Sequence, residues 1–147
     1  LSTLLDLAVL TLADPGPGWH AVLATRARKA EGILASTHRL DGSDPIVVAQ
    51  GFLDLVVDLH RRSLSEPLPL FKGLSEGLHR SPGVLPVWPR RHPDAAETLT
   101  YGHLRASELC AMPIRSNDPA GEATDRARRY ADHLYGALAA ALVEVEQ

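Results

Sequence analysis

The stretch RRSLSEPLPLF, residues 61–71, decides how the middle of the chain folds. A proline fixes φ and has no N–H, and the residue before a proline is disfavoured in the α region. A helix that arrives here must therefore end near Glu66, and the chain must continue in an extended, polyproline-like form. We call the following residues the junction: Glu66, Pro67, Leu68, Pro69 and Leu70. We expect Leu68 or Leu70 to be buried, and the junction to be a structural device.

The residues before the junction predict a helix, a hairpin and a second helix. Residues 1–13 show helical apolar spacing, and residues 19–25 and 31–37 read as two short strands around a basic turn. The second helix begins at Pro45, with Asp44 as its N-cap. We predict that its buried face comprises Ile46, Ala49, Leu53, Val56, His60 and Leu64, widened by Phe52, Leu55 and Leu59.

The residues after the junction predict more helices than strands. Residues 72–80 favour a short helix, residues 97–101 a short strand and residues 103–112 a helix that Pro113 ends. A long last helix is expected from an Asp118 cap to the end of the chain, because apolar residues recur there at threes and fours. The fold class predicted from this order is α/β, in the α+β sense.

Length and composition place the chain among ordinary globular proteins. Its 147 residues are 45% hydrophobic and 22% charged, and predict a single domain, 1–147. The chain opens at Leu1 in the middle of an apolar face, so we expect a C-terminal fragment of a longer subunit. A lone Cys110 and the lack of a signal peptide or a membrane-spanning run favour the cytoplasm.

The motifs of common active sites are absent from the sequence. Neither lysine follows a glycine, so no phosphate-binding P-loop is present. Seven histidines are scattered without H-x-H, H-E-x-x-H or a cysteine pair, which argues against a zinc site. Cys110 lies among apolar neighbours, where cysteine behaves as a small hydrophobe. We therefore predict no catalytic residues, no metal and no cofactor.

A helix, a hairpin and a helix also open many metal-dependent nucleases. Their Mg²⁺ chemistry needs an Asp at the end of one strand and an Asp/Glu-x-Lys on the next. Residues 19–25 and 31–37 contain no Asp and no Glu-x-Lys, and Lys29 precedes the isolated Glu31. If the fold is nuclease-like, its metal site is missing.

Basic clusters could contact the phosphates of DNA without reading its sequence. The net charge of −3 means that any such contact must come from a local patch. Besides the candidates named below, residues 126–129 form another basic cluster. For each cluster the ordinary alternative to a DNA contact is a solvated face or an ion pair. The DNA-contact candidates are Arg61, Arg62, Arg90, Arg91, Arg28 and Lys29.

Residues 53–71 resemble the C-terminal domain of RecC, the gamma subunit of exodeoxyribonuclease V. The family pattern is a long helix with a Leu-rich face, a basic residue and then Leu-x-Glu-Pro-Leu-Pro-Leu, which residues 64–70 match. The order of the flanking segments agrees over nearly the whole chain, while only residues 66–70 are specific. Tyr135 lies where many relatives carry a Trp-containing segment.

The resemblance implies a nuclease-like, PD-(D/E)xK-type fold, in which a mixed sheet is flanked by helices and the active site is absent. It further implies a place in a RecBCD-type ATP-dependent helicase–nuclease that processes double-strand breaks for recombinational repair. ATP hydrolysis and DNA cleavage would belong to the helicase and nuclease partner subunits. This domain would act as a scaffold and DNA guide, and it would bind DNA weakly and non-specifically when isolated.

Two alternatives come from other classes of protein. One is a cryptic metal-dependent nuclease or hydrolase, whose site folding would assemble from His103, Glu108 and others. The other is a helical protein-interaction module unrelated to DNA, which would expose an apolar face along residues 130–145.

Overall fold

The computed structural model of the chain describes residues 2–16, 18–26, 33–81, 83–85 and 104–145. Helices and a small sheet together make the fold α+β, as the sequence predicts. The helices are α1 (Ser2–Ala13), α2 (Pro45–Ser65), α3 (Lys72–Arg80), α4 (Ala106–Cys110) and α5 (Arg126–Ala141). The strands are β1 (Ala21–Arg26), β2 (Ile33–Leu40) and β3 (Leu142–Val145). The strand predicted at residues 97–101 lies outside the described residues.

The chain forms two compact units. Residues 1–59 and 138–147 form the first unit, and residues 60–137 form the second. Whether the whole chain behaves as one domain, as its length predicts, stays a prediction.

The sheet of the first unit has the strand order β1-β2-β3, and both pairings are antiparallel. Ala21 pairs with His38 across the predicted hairpin, and Leu40 pairs with Leu142 on the other side of β2. Strand β2 runs to Leu40, three residues beyond the predicted end. Within the described residues the sheet is purely antiparallel, whereas the resemblance implies a mixed sheet.

The core of the first unit is built where α1, α2, the sheet and the end of α5 supply apolar side chains. Trp19 and Leu138 pack against its edge. Its buried members are Leu4, Leu7, Ala8, Leu40, Ala49, Phe52 and Ala141.

Helix α2 begins as predicted and buries the middle of the predicted face. The Asp44 carboxylate accepts hydrogen bonds from the backbone N–H groups of Ile46 (3.1 Å) and Val47 (3.3 Å), so Asp44 is the N-cap. Ala49, Phe52 and Leu59 are the buried residues of the helix. The predicted face was placed wrongly at its ends, because Ile46, His60 and Leu64 are exposed. The apolar arc of α2 is wider than its buried stripe, so spacing alone could not fix the ends of that stripe.

The second unit has its own core. It is formed by α3, α4 and the first turns of α5, with Leu104, Cys110 and Met112 packed against it. Helix α3 lies where the sequence predicts it, and α4 is shorter than the predicted 103–112 helix. The buried members of this core are Phe71, Leu74, Leu78, Ala106, Leu109, Ala127 and Ala131.

The last predicted helix was wrong at both ends. It begins at Arg126, where the Asp125 carboxylate accepts a hydrogen bond from the Arg128 backbone N–H at 2.8 Å. It ends at Ala141, whose carbonyl accepts a hydrogen bond from the Asp41 N–H at 2.9 Å. The residues that follow form β3 and pair with β2. Hydrogen bonding to β2 outweighs their local helical spacing, and the spacing alone could not predict it.

None of the helices in the described part of the chain is long and apolar enough to cross a membrane.

Candidate functional site

The β1–β2 hairpin is where a metal-dependent nuclease would carry its carboxylates. Strand β1 reads AVLATR and β2 reads ILASTHRL, with no acidic residue in either. Ser36 and His38 share a hydrogen bond of 2.8 Å between Oγ and Nε2. Among the residues that the structure describes, no group of three or more His, Cys, Asp or Glu side chains could hold a metal ion. Strands β1 and β2 themselves thus offer no acidic ligands for a divalent cation.

The alternative of a cryptic hydrolase named His103, Glu108 and others, and of these two the structure describes Glu108. The Glu108 carboxylate accepts a hydrogen bond from the Arg105 backbone N–H at 2.5 Å and so caps α4. His103 lies outside the described residues. Burial raises the pKa of the Cys110 thiol, and the neighbouring Asp125 raises it further, which disfavours the thiolate that a nucleophile needs.

The junction is a tight corner after α2. The Glu66 N–H donates to the Arg62 carbonyl at 3.1 Å, the last such bond of the helix. The Leu70 N–H then donates to the Leu68 carbonyl at 2.8 Å. Both leucines are half-buried, whereas Pro69 is fully buried. The prediction that Leu68 or Leu70 anchors the corner was wrong, because the proline ring itself occupies the interior.

The corner leads directly into α3. Phe71 is extended (φ −128°, ψ 130°) and buried, and its N–H donates to Ser75 Oγ at 3.0 Å. The Ser75 N–H donates in return to the Phe71 carbonyl at 2.8 Å. These two hydrogen bonds fix the start of α3 and hold Phe71 in the core of the second unit.

A buried ion cluster closes the corner. Its buried centre is Asp118, Arg126 and Tyr130, while Glu66 is half-buried and Arg115 is exposed; all five lie in the second unit. Arg126 is only 3% exposed; its Nη2 lies 2.7 Å from Glu66 Oε1 and its Nε lies 2.8 Å from Asp118 Oδ1. Arg115 pairs with the other oxygen of Glu66, and the Arg126 guanidinium lies 5.5 Å from the centre of the Tyr130 ring. One acidic residue of the junction thus binds two arginines that follow about 50 and 60 residues later.

The electrostatics of the cluster favour the ionised forms of both Asp118 and Arg126. Burial alone would raise the pKa of Asp118, but hydrogen bonds from the Arg115 backbone N–H and from Arg126 outweigh it and lower the pKa. Burial would likewise lower the pKa of Arg126, yet the carboxylate of Asp118 raises it. Burial, together with the charge of Asp118, raises the pKa of Tyr130. Asp118 was wrongly predicted as a helix cap: its carboxylate is a partner of Arg126.

The DNA-contact candidates have different environments. Arg61 is exposed near the end of α2. Arg62 is half-buried, and its Nη1 donates to the Asn117 carbonyl, so its guanidinium is already bound to protein. Four candidates lie outside the described residues: Arg28, Lys29, Arg90 and Arg91.

The basic cluster at residues 126–129 serves the fold. Arg128 Nη1 donates to Asp125 Oδ2 at 2.9 Å, and Arg129 Nε donates to the Ala123 carbonyl at 2.9 Å. With Arg126 in the buried ion cluster, all three arginines are occupied by protein groups. Asp125, which directly precedes the cluster, was a sequence signal for the Arg128 pair alone.

A histidine–aspartate pair ties α3 to α5. His79 Nδ1 lies 3.0 Å from Asp132 Oδ1, and the imidazole stacks on Tyr135 with ring centres 6.2 Å apart. Local sequence patterns did not predict these contacts, because Asp132 and Tyr135 lie 53 and 56 positions after His79.

The exposed large apolar side chains of the described residues do not lie along residues 130–145, where the interaction-module alternative places them. Tyr130 is fully buried, and Leu134 and Leu138 are half-buried. In the described residues the exposed large apolar side chains are Val9, Leu10, Val22, Leu23, Ile46, Val47, Val57, Leu64, Val84 and Leu85. Helix α5 therefore contributes none of them.

Comparisons of the chain with protein-family models, with curated proteins and with solved structures find no match.

Proposed function

We propose that the chain is a non-catalytic domain of nuclease-like fold from a RecC-type subunit. In this proposal it serves as a scaffold and DNA guide in an ATP-dependent helicase–nuclease that processes double-strand breaks. The observation that carries the proposal is the pair of hairpin strands β1 and β2, neither of which contains an acidic residue, followed along the chain by the junction that resembles RecC.

The hairpin supports the absence of cleavage chemistry. Hydrolysis of a phosphodiester by Mg²⁺ needs carboxylates that hold the ion beside the attacked phosphate. An α1–β1–β2–α2 unit without those carboxylates can still provide a rigid surface. Its contribution would be to position DNA and neighbouring subunits, while cleavage takes place elsewhere in the complex.

Arg61 is the candidate DNA contact that the described residues support. It is exposed, and it lies one position from Arg62, which is held by the Asn117 carbonyl. A single exposed arginine on a protein of net charge −3 neutralises few phosphates. Binding of the isolated chain to DNA should therefore be weak and salt-sensitive, with a shallow slope because that slope grows with the number of phosphates neutralised.

Fluorescence anisotropy with a labelled 20-base-pair duplex tests the DNA contact. We expect saturable binding at about 50 mM salt whose affinity falls roughly 3.5-fold for each phosphate contacted when the salt is raised to about 200 mM. Arg61→Glu should weaken it several-fold, whereas the matched charge reversal Arg80→Glu, on an arginine that is 76% exposed, should not. Equal effects of the two variants would reduce the contact to a net-charge effect. Mg²⁺-dependent cleavage of the duplex would refute the non-catalytic assignment.

A chimera tests the scaffold role. Residues 1–147 would replace the C-terminal domain of a RecC subunit that is co-expressed with its helicase and nuclease partners. We expect the chimera to co-purify with both partners, and a subunit truncated before this domain to assemble poorly. If the chimera assembles no better than the truncated subunit, the scaffold role is wrong.

A further inference from the structure

The first unit contains a cleft that none of the roles above uses. It has a volume of about 330 Å³, which lies within the range of about 300–1,000 Å³ typical of small-molecule sites. It is formed where the turn after α1, the end of β2 and the start of α2 meet. The residues that line it are Thr11, Pro15, Gly18, Trp19, His20, Arg39, Leu40, Pro45 and Val145.

The shape of the cleft depends on the turn before β1. Gly18 has φ +63°, a conformation that costs a residue with a side chain and that glycine adopts freely. The next residue, Trp19, is half-buried, and its indole N–H donates to the Asp14 carbonyl at 2.8 Å. Trp19 is therefore held by the core and by this hydrogen bond, with Pro15 and Pro45 among its neighbours in the wall. A planar ring could be bound by these apolar faces without rearrangement of the turn.

The polar side chains of the lining are Thr11, His20 and Arg39, and Arg39 supplies a positive charge. Arg39 and His20 are the two titratable residues of the lining, and both are exposed. Within the described part of the chain no carboxylate pairs with Arg39. His20 directly precedes Ala21, the partner of His38, so the antiparallel register sets His20 beside Arg39. An arginine with a free guanidinium beside a histidine suits a phosphate, which accepts two parallel hydrogen bonds from arginine.

In the described part of the chain, four acidic residues directly flank the lining in sequence, namely Asp14, Asp41, Asp44 and Glu144, and none of the four belongs to it. Asp41 Oδ1 accepts a hydrogen bond from the Gly42 N–H at 2.8 Å, and Glu144 is exposed on β3, where it pairs with His38. Asp14 Oδ1 accepts a hydrogen bond from the Gly16 N–H at 3.4 Å. Asp44 Oδ1 accepts from the first turn of α2 as its N-cap. None of the four carboxylates is therefore placed to repel an anion from within the cleft.

We propose that this cleft binds a nucleotide unit, with the base against Trp19 and the phosphate at Arg39 and His20. Stacking of a base on an aromatic side chain and a charge-assisted hydrogen bond from arginine are the interactions expected for such a ligand. The unit could be a free nucleotide or part of a single DNA strand, since both present the same chemistry. The assignment does not depend on the RecC-type proposal, whose DNA contact, Arg61, lies in the second unit.

An NMR titration of the ¹⁵N-labelled chain tests the proposal. The chain has two tryptophans, so the indole signal of Trp19 is assigned by comparison with Trp88→Phe. We expect dAMP to shift the Trp19 indole signal saturably. Deoxyadenosine, which lacks the phosphate, and inorganic phosphate, which lacks the base, should each bind at least about tenfold more weakly, a loss of about 1.4 kcal/mol. Inorganic phosphate that binds as tightly as dAMP would overturn the proposal.

Charge reversal at the rim distinguishes the cleft from a general effect of charge. Arg39→Glu should raise the Kd for dAMP about tenfold or more, while Arg80→Glu, the matched reversal on an exposed arginine of α3, should change it less than twofold. If Arg39→Glu does not fold, His20→Ala takes its place with an expected severalfold loss. Equal effects of the two reversals, or shifts confined to residues outside the lining, would refute the site.

A second ligand identifies the source of the nucleotide. A 5′-phosphorylated hexamer of deoxyadenosine that binds more tightly than dAMP, and loses that gain in Arg39→Glu, assigns the cleft to a DNA strand. Equal affinities assign it to a free nucleotide. If neither ligand shifts the Trp19 signal, the cleft does not bind nucleotides, and the scaffold proposal is unaffected because its tests use other residues.

Discussion

Replacement of Arg126 by methionine should be one of the most costly single changes in the second unit. The guanidinium is 3% exposed and lies 2.8 Å from Asp118 and 2.7 Å from Glu66. The Asp118 side chain is fully buried and that of Glu66 is 15% exposed. Methionine keeps the aliphatic stem but donates no hydrogen bond, so two largely buried carboxylates lose their common cation.

The expected cost follows from what remains after the substitution. Removal of one partner from a buried ion pair typically costs about 3–5 kcal/mol, because the other charge stays buried and uncompensated. Asp118 keeps the Arg115 backbone N–H at 2.7 Å, and Glu66 keeps the Arg115 guanidinium. We therefore expect the lower part of that range, about 3 kcal/mol.

Urea denaturation of two variants measures this cost. Arg80→Met is the matched control, because Arg80 is 76% exposed and pairs with Glu76 at 2.7 Å as an i,i+4 pair, worth about 0.3–0.5 kcal/mol. Addition of Asp118→Asn to Arg126→Met should recover part of the loss, since it removes one uncompensated charge. A cost of Arg126→Met below about 1 kcal/mol, or no recovery in the double variant, would refute the reasoning.

Three further predictions concern acid, the thiol and the corner. The pKa of Asp118 is lowered from 3.8 in the folded chain. Its contribution to stability is therefore present above pH 3.8 and is lost as the pH falls through the lower folded value. Asp118→Asn should flatten acid unfolding in that range, as monitored by circular dichroism. Burial raises the pKa of Cys110, so its reaction with a disulfide reagent near pH 8 should be slower than that of a free cysteine and should accelerate on unfolding; an equal rate in the folded chain would contradict this. Pro69→Ala should cost about 1–2 kcal/mol, because a buried ring is lost, whereas Pro67→Ala at the exposed proline should cost about 0.5 kcal/mol; urea melts in which the two are equal would contradict the corner as described.

The sequence predicts local structure well where a single residue has a single local partner. Two Asp-Pro pairs show the limit. Asp44 before Pro45 and Asp118 before Pro119 carry the same helix-start signature. The first caps α2 through two backbone N–H groups, while the second binds Arg126 and the Arg115 N–H instead. In both cases the carboxylate accepts hydrogen bonds. Asp118 differs from Asp44 because Arg126, eight residues later, binds its carboxylate.

The candidate sites were less predictable than the elements because they depend on distant partners. Exposure of Arg61 could be predicted from the sequence, but the bond from Arg62 to the Asn117 carbonyl joins positions 55 residues apart. The Trp19 cleft likewise needs Val145 of β3, a strand that the helical spacing of the last segment concealed. Local sequence patterns indicate the secondary structure that a segment prefers, whereas a site depends on which distant segments come into contact.

The buried ion cluster also bears on how the RecC resemblance should be weighed. The specific part of that resemblance is the run from Glu66 to Leu70. In the structure this run has a structural role. Glu66 binds Arg115 and Arg126, and the Pro69 ring fills the interior of the corner. Such a run is more direct support for a corner after a long helix that this chain shares with RecC than for a shared role in DNA binding. The DNA-guiding role therefore depends on Arg61 and on the chimera, and an Arg61→Glu variant that binds duplex as well as the unmodified chain would leave the junction a purely structural corner.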